Sequence, residues 1–118
     1  MIVIDSGVIL RYLLKDEEKL FKKAKETLEK ENCLVLPEIL HEVVLTLEVL
    51  YKVPREDISA VLIELLNFDN IFIADEYIRA LFLYGNRDLS FLEAVLCAFG
   101  KDRKVVTFSK RVKKCLKD

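Results

Sequence analysis

The feature that most constrains this chain is its opening run, Met1-Ile2-Val3-Ile4-Asp5-Ser6-Gly7-Val8-Ile9-Leu10-Arg11-Tyr12-Leu13-Leu14, in which a single carboxylate interrupts apolar residues. Met1 to Ile4 are apolar at every position, whichever face each points to, which predicts a strand buried on both sides in a parallel sheet. Asp5 falls where that strand gives way to a helix. In open α/β sheets the crevice outside the carboxyl ends of the strands is where ligands bind, so Asp5 occupies a position suited to function. The same residue can equally be a polar residue starting a turn, with Ser6 capping the next helix. Both readings stand on this stretch alone.

Further along, Leu20, Phe21, Ala24 and Leu28 recur at helical spacing within a charged segment from Asp16 to Glu31. This pattern predicts an amphipathic helix with a narrow buried stripe. Asn32 to Leu36 reads as a second strand, and Pro37 as the start of a helix reaching about Lys52. A β-α-β unit with parallel strands follows. Val53-Pro54-Arg55-Glu56-Asp57 breaks the pattern and Ile58 to Phe68 resumes it, giving a helical hairpin. Ile71 to Ile73 is a third short strand or connector. Helices are expected over Asp75–Tyr84 and Leu89–Phe99, then a last strand over Lys104–Phe108 and a terminal helix over Ser109–Leu116. Strands alternating with helices in this order predict a three-layer α/β/α domain around a small central parallel sheet.

Composition narrows the function classes. The 118 residues suit one domain, 1–118, and although 53% are hydrophobic, no apolar run approaches the roughly 18 residues of a membrane span. The opening run lacks a basic leader, so it is not expected to be a signal peptide, and a cytoplasmic protein with no membrane association is the expectation. A net charge of -1 argues against broad adhesion to nucleic acid. A local basic cluster does exist at the C-terminus, where Lys101, Arg103, Lys104, Lys110, Arg111, Lys113, Lys114 and Lys117 form either a solvated face or a nucleic-acid contact. Cys33, Cys97 and Cys115 are too far apart in sequence for a metal-ligand motif and are expected to be reduced.

Three acids stand out by placement. Asp5 ends the first strand; Glu42 lies on a helix flank bordered by Leu45 and Val49, so it either snorkels at a boundary or points into a cleft; Glu93 lies near the start of the helix before the last strand. Glu93 also sits three residues after Ser90, the spacing of a capping box, which gives it a purely structural reading. Should the three converge, an all-oxygen ligand set would suit Mg²⁺ or Mn²⁺ and phosphate chemistry. No glycine-rich phosphate loop competes, and the lone His41 has no nucleophile partner at a recognisable spacing.

With these residues in view, the chain resembles the PIN-domain family of metal-dependent ribonucleases, most closely the small prokaryotic toxins of VapBC toxin-antitoxin pairs. The resemblance rests on four motifs in order: Ile2-Val3-Ile4-Asp5-Ser6-Gly7-Val8-Ile9, Pro37-Glu38-Ile39-Leu40-His41-Glu42-Val43-Val44, Leu89-Ser90-Phe91-Leu92-Glu93-Ala94, and Val105-Val106-Thr107-Phe108-Ser109-Lys110. Three positions depart from the family pattern. Gly7 replaces Asn, Glu93 replaces Asp and so moves the charge roughly 1.5 Å further out, and Ser109 replaces a fourth acid. The resemblance implies hydrolysis of RNA by in-line attack of a metal-activated water, with Asp5, Glu42 and Glu93 as metal ligands for Mg²⁺ or Mn²⁺. It further implies that Ser6, Thr107 and Ser109 position water or phosphate, and that Arg11 or the C-terminal cations hold the RNA backbone. The partners it implies are RNA, a small antitoxin protein and a second copy in a homodimer. The departures at Gly7 and Ser109 motivate a different expectation, a catalytically weakened PIN domain that binds RNA or protein. The surface expected to form the interface is the apolar face of the hairpin from Pro37 to Phe68.

Overall fold

In the computed structural model, which describes residues 1–117, three two-residue strands form a parallel sheet. They are β1 (Ile2–Val3), β2 (Cys33–Leu34) and β3 (Ile71–Phe72), in that order, with Ile2 opposite Cys33 and Leu34 opposite Phe72. Parallel strands require long crossovers, and helices supply them. Helices α1 (Ser6–Leu14) and α2 (Glu18–Lys30) connect β1 to β2, while α3 (Pro37–Leu45), a π-helical turn (Thr46–Leu50) and α4 (Arg55–Leu66) connect β2 to β3. Helices α5 (Asp75–Asn86), α6 (Phe91–Phe99) and α7 (Lys110–Lys117) complete the described chain. The result is an α/β domain with a small parallel sheet, consistent with the expected PIN-like α/β/α arrangement.

The local signals act where the sequence places them. Pro37 occupies the first turn of α3, where its missing N–H costs nothing. Ser90 caps α6 in a complete capping box with Glu93. On α2 only Ala24 and Leu28 are buried, the narrow stripe its charge pattern predicts. The Asn70 amide donates to the carbonyls of Leu28 and Glu31 at 2.7 Å each, tying the end of α2 to the start of β3. Leu40, Val43 and Val44 of α3 and Ile58, Leu62 and Leu65 of α4 join Leu81 and Tyr84 of α5 in one buried core. Gly85 permits α5 to approach α4 closely, since a Cβ there would lie 2.5 Å from the Ser59 Cβ.

Four expectations need correction. Lys104–Phe108 forms no strand: the stretch joins no ladder, and Val106 and Phe108 are 84% and 96% exposed. Its β-branched residues fit a strand, but propensity supplies no partner, and the Ser109 N–H turns back onto the Thr107 hydroxyl at 3.1 Å. Without a fourth strand beside it β1 is a sheet edge, so Met1–Ile4 is not buried on both faces. Val3 is 61% exposed and only Ile4 of the run is buried. The helix expected to run from Pro37 to Lys52 changes to π geometry at Thr46, with the Tyr51 N–H donating to the Thr46 carbonyl at 3.2 Å. In that turn the Glu48 carboxylate accepts from the hydroxyl of buried Tyr84, a tertiary bond that periodicity cannot foresee. Finally, Ser6 is not the cap of α1; Asp5 is.

Candidate active site

Asp5 leaves β1 in extended geometry, and its Oδ1 accepts the Val8 N–H at 3.1 Å. The carboxylate is therefore both the cap of α1 and an exposed group beyond the strand's carboxyl end. One of its oxygens is left for something else. Because Asp5 does the capping, Ser6 begins the helix with its hydroxyl free, and that hydroxyl donates to Glu42 Oε1. This bond spans 36 residues of sequence and joins the β1–α1 turn to α3. It explains why Glu42, an exposed carboxylate on an apolar-flanked helix, faces the turn.

A second group forms around α6 and α7. Glu93 Oε1 accepts the Ser90 N–H at 2.9 Å, and its Oε2 accepts the Ser109 hydroxyl at 3.2 Å. The Ser90 backbone N–H foremost, helped by the Ser109 and Ser90 hydroxyls and by Arg111, holds the Glu93 carboxyl below the usual carboxylate range against the opposing effect of burial. Ser109 in turn accepts the Val112 N–H at 3.2 Å and so caps α7. Thr107 acts on this pair from outside, its Oγ1 accepting the Ser109 N–H. Between the two groups, the His41 ring packs edge-on against Phe91 with centroids 5.6 Å apart. His41 precedes Glu42 and Phe91 precedes Glu93 by two, so this contact couples the helices that carry the two acids. The lone histidine is a packing residue.

The structure thus brings Asp5, Ser6 and Glu42 to one turn and Glu93, Thr107 and Ser109 to another. Among the described residues, no three Asp, Glu, His or Cys side chains are grouped closely enough to hold a metal ion between them. The donor chemistry still fits a hard divalent cation: carboxylate and hydroxyl oxygens, with no thiol in the set. Mg²⁺ commonly keeps most of its waters and takes one or two protein carboxylates, which Asp5 and Glu42 offer at the first turn.

Beside Asp5 lies a cavity of about 420 Å³ between α1 and α2, lined by Gly7, Val8, Arg11, Leu20, Lys23, Ala24 and Thr27 as well as Asp5. The α2 residues were not candidates from sequence, because a charged helix with one apolar stripe reads as surface. Leu20 lies on that stripe yet remains 47% exposed.

Neither a family model nor a solved structure matches the chain. Among characterised proteins it is similar to a VapC ribonuclease of Aquifex aeolicus (strain VF5), 34% identical over 129 aligned positions that cover 97% of this chain and 91% of that protein. Identity at this level over nearly the full length of both chains, together with the α/β fold and the strand-end Asp5, establishes the relationship. The chain belongs to the VapC ribonuclease family of PIN-domain proteins.

Proposed function

We propose that this chain is a metal-dependent endoribonuclease and the toxin component of a toxin-antitoxin pair. The observation that carries the reading is the Ser6–Glu42 hydrogen bond, which draws the carboxylate of α3 to the strand-end turn holding Asp5. The relative named a ribonuclease supports the substrate class. Asp5, Glu42 and Glu93 would hold Mg²⁺ or Mn²⁺, and a bound divalent cation supplies water activation and charge offset at the phosphate. Ser6 fixes the Glu42 rotamer through its hydroxyl and leaves Oε2 of that carboxylate free to face a ligand. Ser109, with Thr107 shaping its loop, orients Glu93 and contributes a neutral donor where the family pattern has an acid. Arg11 and the C-terminal lysines and arginines supply the positive charge that holds an RNA backbone. The partners in this reading are RNA, a small antitoxin and a second copy of the chain, all in the cytoplasm. The exposed Leu45 at the end of α3, and Val49, Leu50 and Tyr51 after it, mark the surface for protein contacts.

A second reading, a catalytically weakened PIN domain that binds RNA or protein, is favoured by one observation. Both Glu93 oxygens are engaged by Ser90 and Ser109, and no three acids form a ready cage among the described residues. Titrating Mn²⁺ or Mg²⁺ into the protein with a mixed RNA substrate separates the two. Cleavage that depends on metal and disappears in Asp5→Asn is the expected result. Asn caps helices as well as Asp, so the variant keeps its fold and tests the charge. Metal-independent cleavage, or cleavage indifferent to Asp5→Asn, rejects the assignment. Binding without cleavage supports the second reading, and copurification of a short partner chain tests the pairing.

A further inference from the structure

Of the three cysteines, two meet. Cys33 is buried in β2, its sulfur 3.5 and 3.4 Å from the carbonyl oxygens of Thr27 and Glu31. Cys97, in the last turn of α6, is also buried, but its sulfur faces α7 and lies 4.0 Å from the Val112 carbonyl oxygen. Helical side chains lean back over the preceding turn, so Cys115, three residues after Val112, directs its sulfur towards the same place. The two thiols are within hydrogen-bonding reach of each other. Gly100 lets the helices approach this closely, since a Cβ there would lie 2.3 Å from the Cδ2 of Leu116, the neighbour of Cys115. Cys115 is the partly exposed member of the pair, and both cysteines line a cavity of about 440 Å³. Arg79, Arg87, Lys101 and Lys117 surround that cavity, with no acid in its wall among the described residues.

We propose that Cys97 and Cys115 are a redox pair, oxidised to an intramolecular disulfide by a small anionic disulfide admitted through this cationic cavity, and that the cross-link clamps α7 onto α6. Cys115, the accessible thiol, gives its proton to solvent, and its sulfur attacks one sulfur of the incoming disulfide. A mixed disulfide forms and one thiolate leaves, taking up a proton. Cys97 then attacks the Cys115 sulfur, its proton going to the second departing thiolate. The protein's two thiols lose two electrons and become one cystine, while the small disulfide gains them and leaves as two thiols. Burial sets the order: it pushes the Cys97 thiol up to about 12, which makes Cys97 a poor first attacker. Once Cys115 carries the mixed disulfide, the Cys97 sulfur is already alongside, and proximity drives the second step. The clamp acts on a lightly held element, because among the described residues of α7 only Val112 is buried. Ser109 caps α7 and also donates to Glu93 at the start of α6, so the cross-link closes the far end of a unit whose near end is that hydrogen bond.

The test is incubation of the full chain with glutathione disulfide, followed by acid quenching, intact mass and peptide mapping. The wild type is expected to lose two hydrogens, keep no glutathione, and show Cys97 joined to Cys115. Cys97→Ala should stop with glutathione on Cys115, Cys115→Ser should take none at Cys97, and Cys33→Ser should react as the wild type does. Cys115→Ser alters a partly exposed position, which keeps the test decisive should the variant at buried Cys97 fail to fold. The oxidised wild type should melt roughly 10 °C above its reduced form, the gain for closing a loop on the order of 20 residues, and neither variant of the pair should show that gain. Lys101→Glu combined with Lys117→Glu should slow the reaction with glutathione disulfide about tenfold at low salt and leave that with uncharged 2-hydroxyethyl disulfide unchanged. A lasting glutathione adduct on wild-type Cys115, a cross-link to Cys33, no reaction at Cys115 in the folded protein, or an oxidised form that melts no higher overturns the pair. A rate untouched by the charge reversal, or slowed equally for both disulfides, overturns entry through the cationic cavity. None of these readouts involves RNA or metal, so the outcome is independent of the ribonuclease reading.

Discussion

Arg55 offers the sharpest test of how the site is held, although it touches none of the candidate ligands. It is the first residue of α4, where a cation opposes the helix dipole, so a local rule is broken in favour of a tertiary role. Its Nη1 lies 3.1, 2.8 and 2.7 Å from the carbonyls of Tyr84, Arg87 and Leu89, and its guanidinium stacks 4.6 Å from the Tyr84 ring centroid. These carbonyls belong to the end of α5 and the turn that leads to Ser90, so Arg55 fixes the turn that presents the α6 cap and, through it, Glu93. One nitrogen carries two hydrogens, so at least one is shared, and two charge-assisted bonds are the fair count. At the low end of roughly 1.5–3 kcal/mol for each, suited to a half-buried group, Arg55→Ala should cost about 3 kcal/mol. The lost stacking adds roughly 0.5–1 kcal/mol. For a domain of this size that corresponds to a fall in Tm on the order of 10–15 °C. Urea denaturation followed by circular dichroism reads the change as a lower midpoint at constant slope. Arg55→Lys should recover less than half, since a point charge neither stacks nor spans three carbonyls. A loss within about 1 kcal/mol of wild type for Arg55→Ala, or full recovery by lysine, would refute the reasoning.

Two further outcomes follow from the same region. Ser90→Ala removes the acceptor of the Glu93 N–H, 3.1 Å away, and should destabilise the fold by about 1 kcal/mol, with Ser90→Thr restoring most of it; equal stability of the alanine variant in urea would contradict the cap. The Cys97 thiol is pushed up to about 12, first by burial and then by Cys115. In the unfolded chain it deprotonates near roughly 8.5. The unfolded state therefore binds fewer protons above that pH, and stability must fall as pH rises from there towards about 12. Cys97→Ala should show a shallower decline over this window in parallel urea titrations, and identical slopes would remove the assignment.

Much of the fold was legible because its signals are local. Pro37, the Ser90–Glu93 capping box and the stripe on α2 each act within a few residues, and each sits where the sequence put it. What escaped depends on contacts between distant segments. Lys104–Phe108 has the residues of a strand but no ladder partner, and the π turn at Thr46–Leu50 accompanies a bond from Glu48 to Tyr84 across 36 positions. The role of Arg55 and the cavity face of α2 were hidden in the same way, since an arginine at a helix start and a leucine among lysines are ordinary on a surface. Asp5 was legible as a turn residue and as a strand-end acid, and it is both: its capping bond frees the Ser6 hydroxyl for Glu42.

That double use bears on what the replacement of an acid by Ser109 does. A carboxylate at that position would stand beside Glu93, and two like charges in contact raise the pKa of one of them unless a cation lies between them. The hydroxyl instead donates to Glu93 Oε2 and, after the Ser90 N–H and alongside Arg111, helps keep its charge favoured. The cost is one negative charge fewer for the cation that Asp5, Glu42 and Glu93 would share. A site built this way keeps a stable resting geometry around Glu93, and on the proposed reading a metal would have to compete with Ser109 for Oε2 to recruit that carboxylate. Ser109→Ala frees that oxygen but also removes the cap from the Val112 N–H, whereas Ser109→Asp keeps the cap and adds the charge. On the proposed reading, Ser109→Asp lowers the Mn²⁺ concentration needed for half-maximal cleavage, and an unchanged metal requirement would place the cation at Asp5 and Glu42 alone.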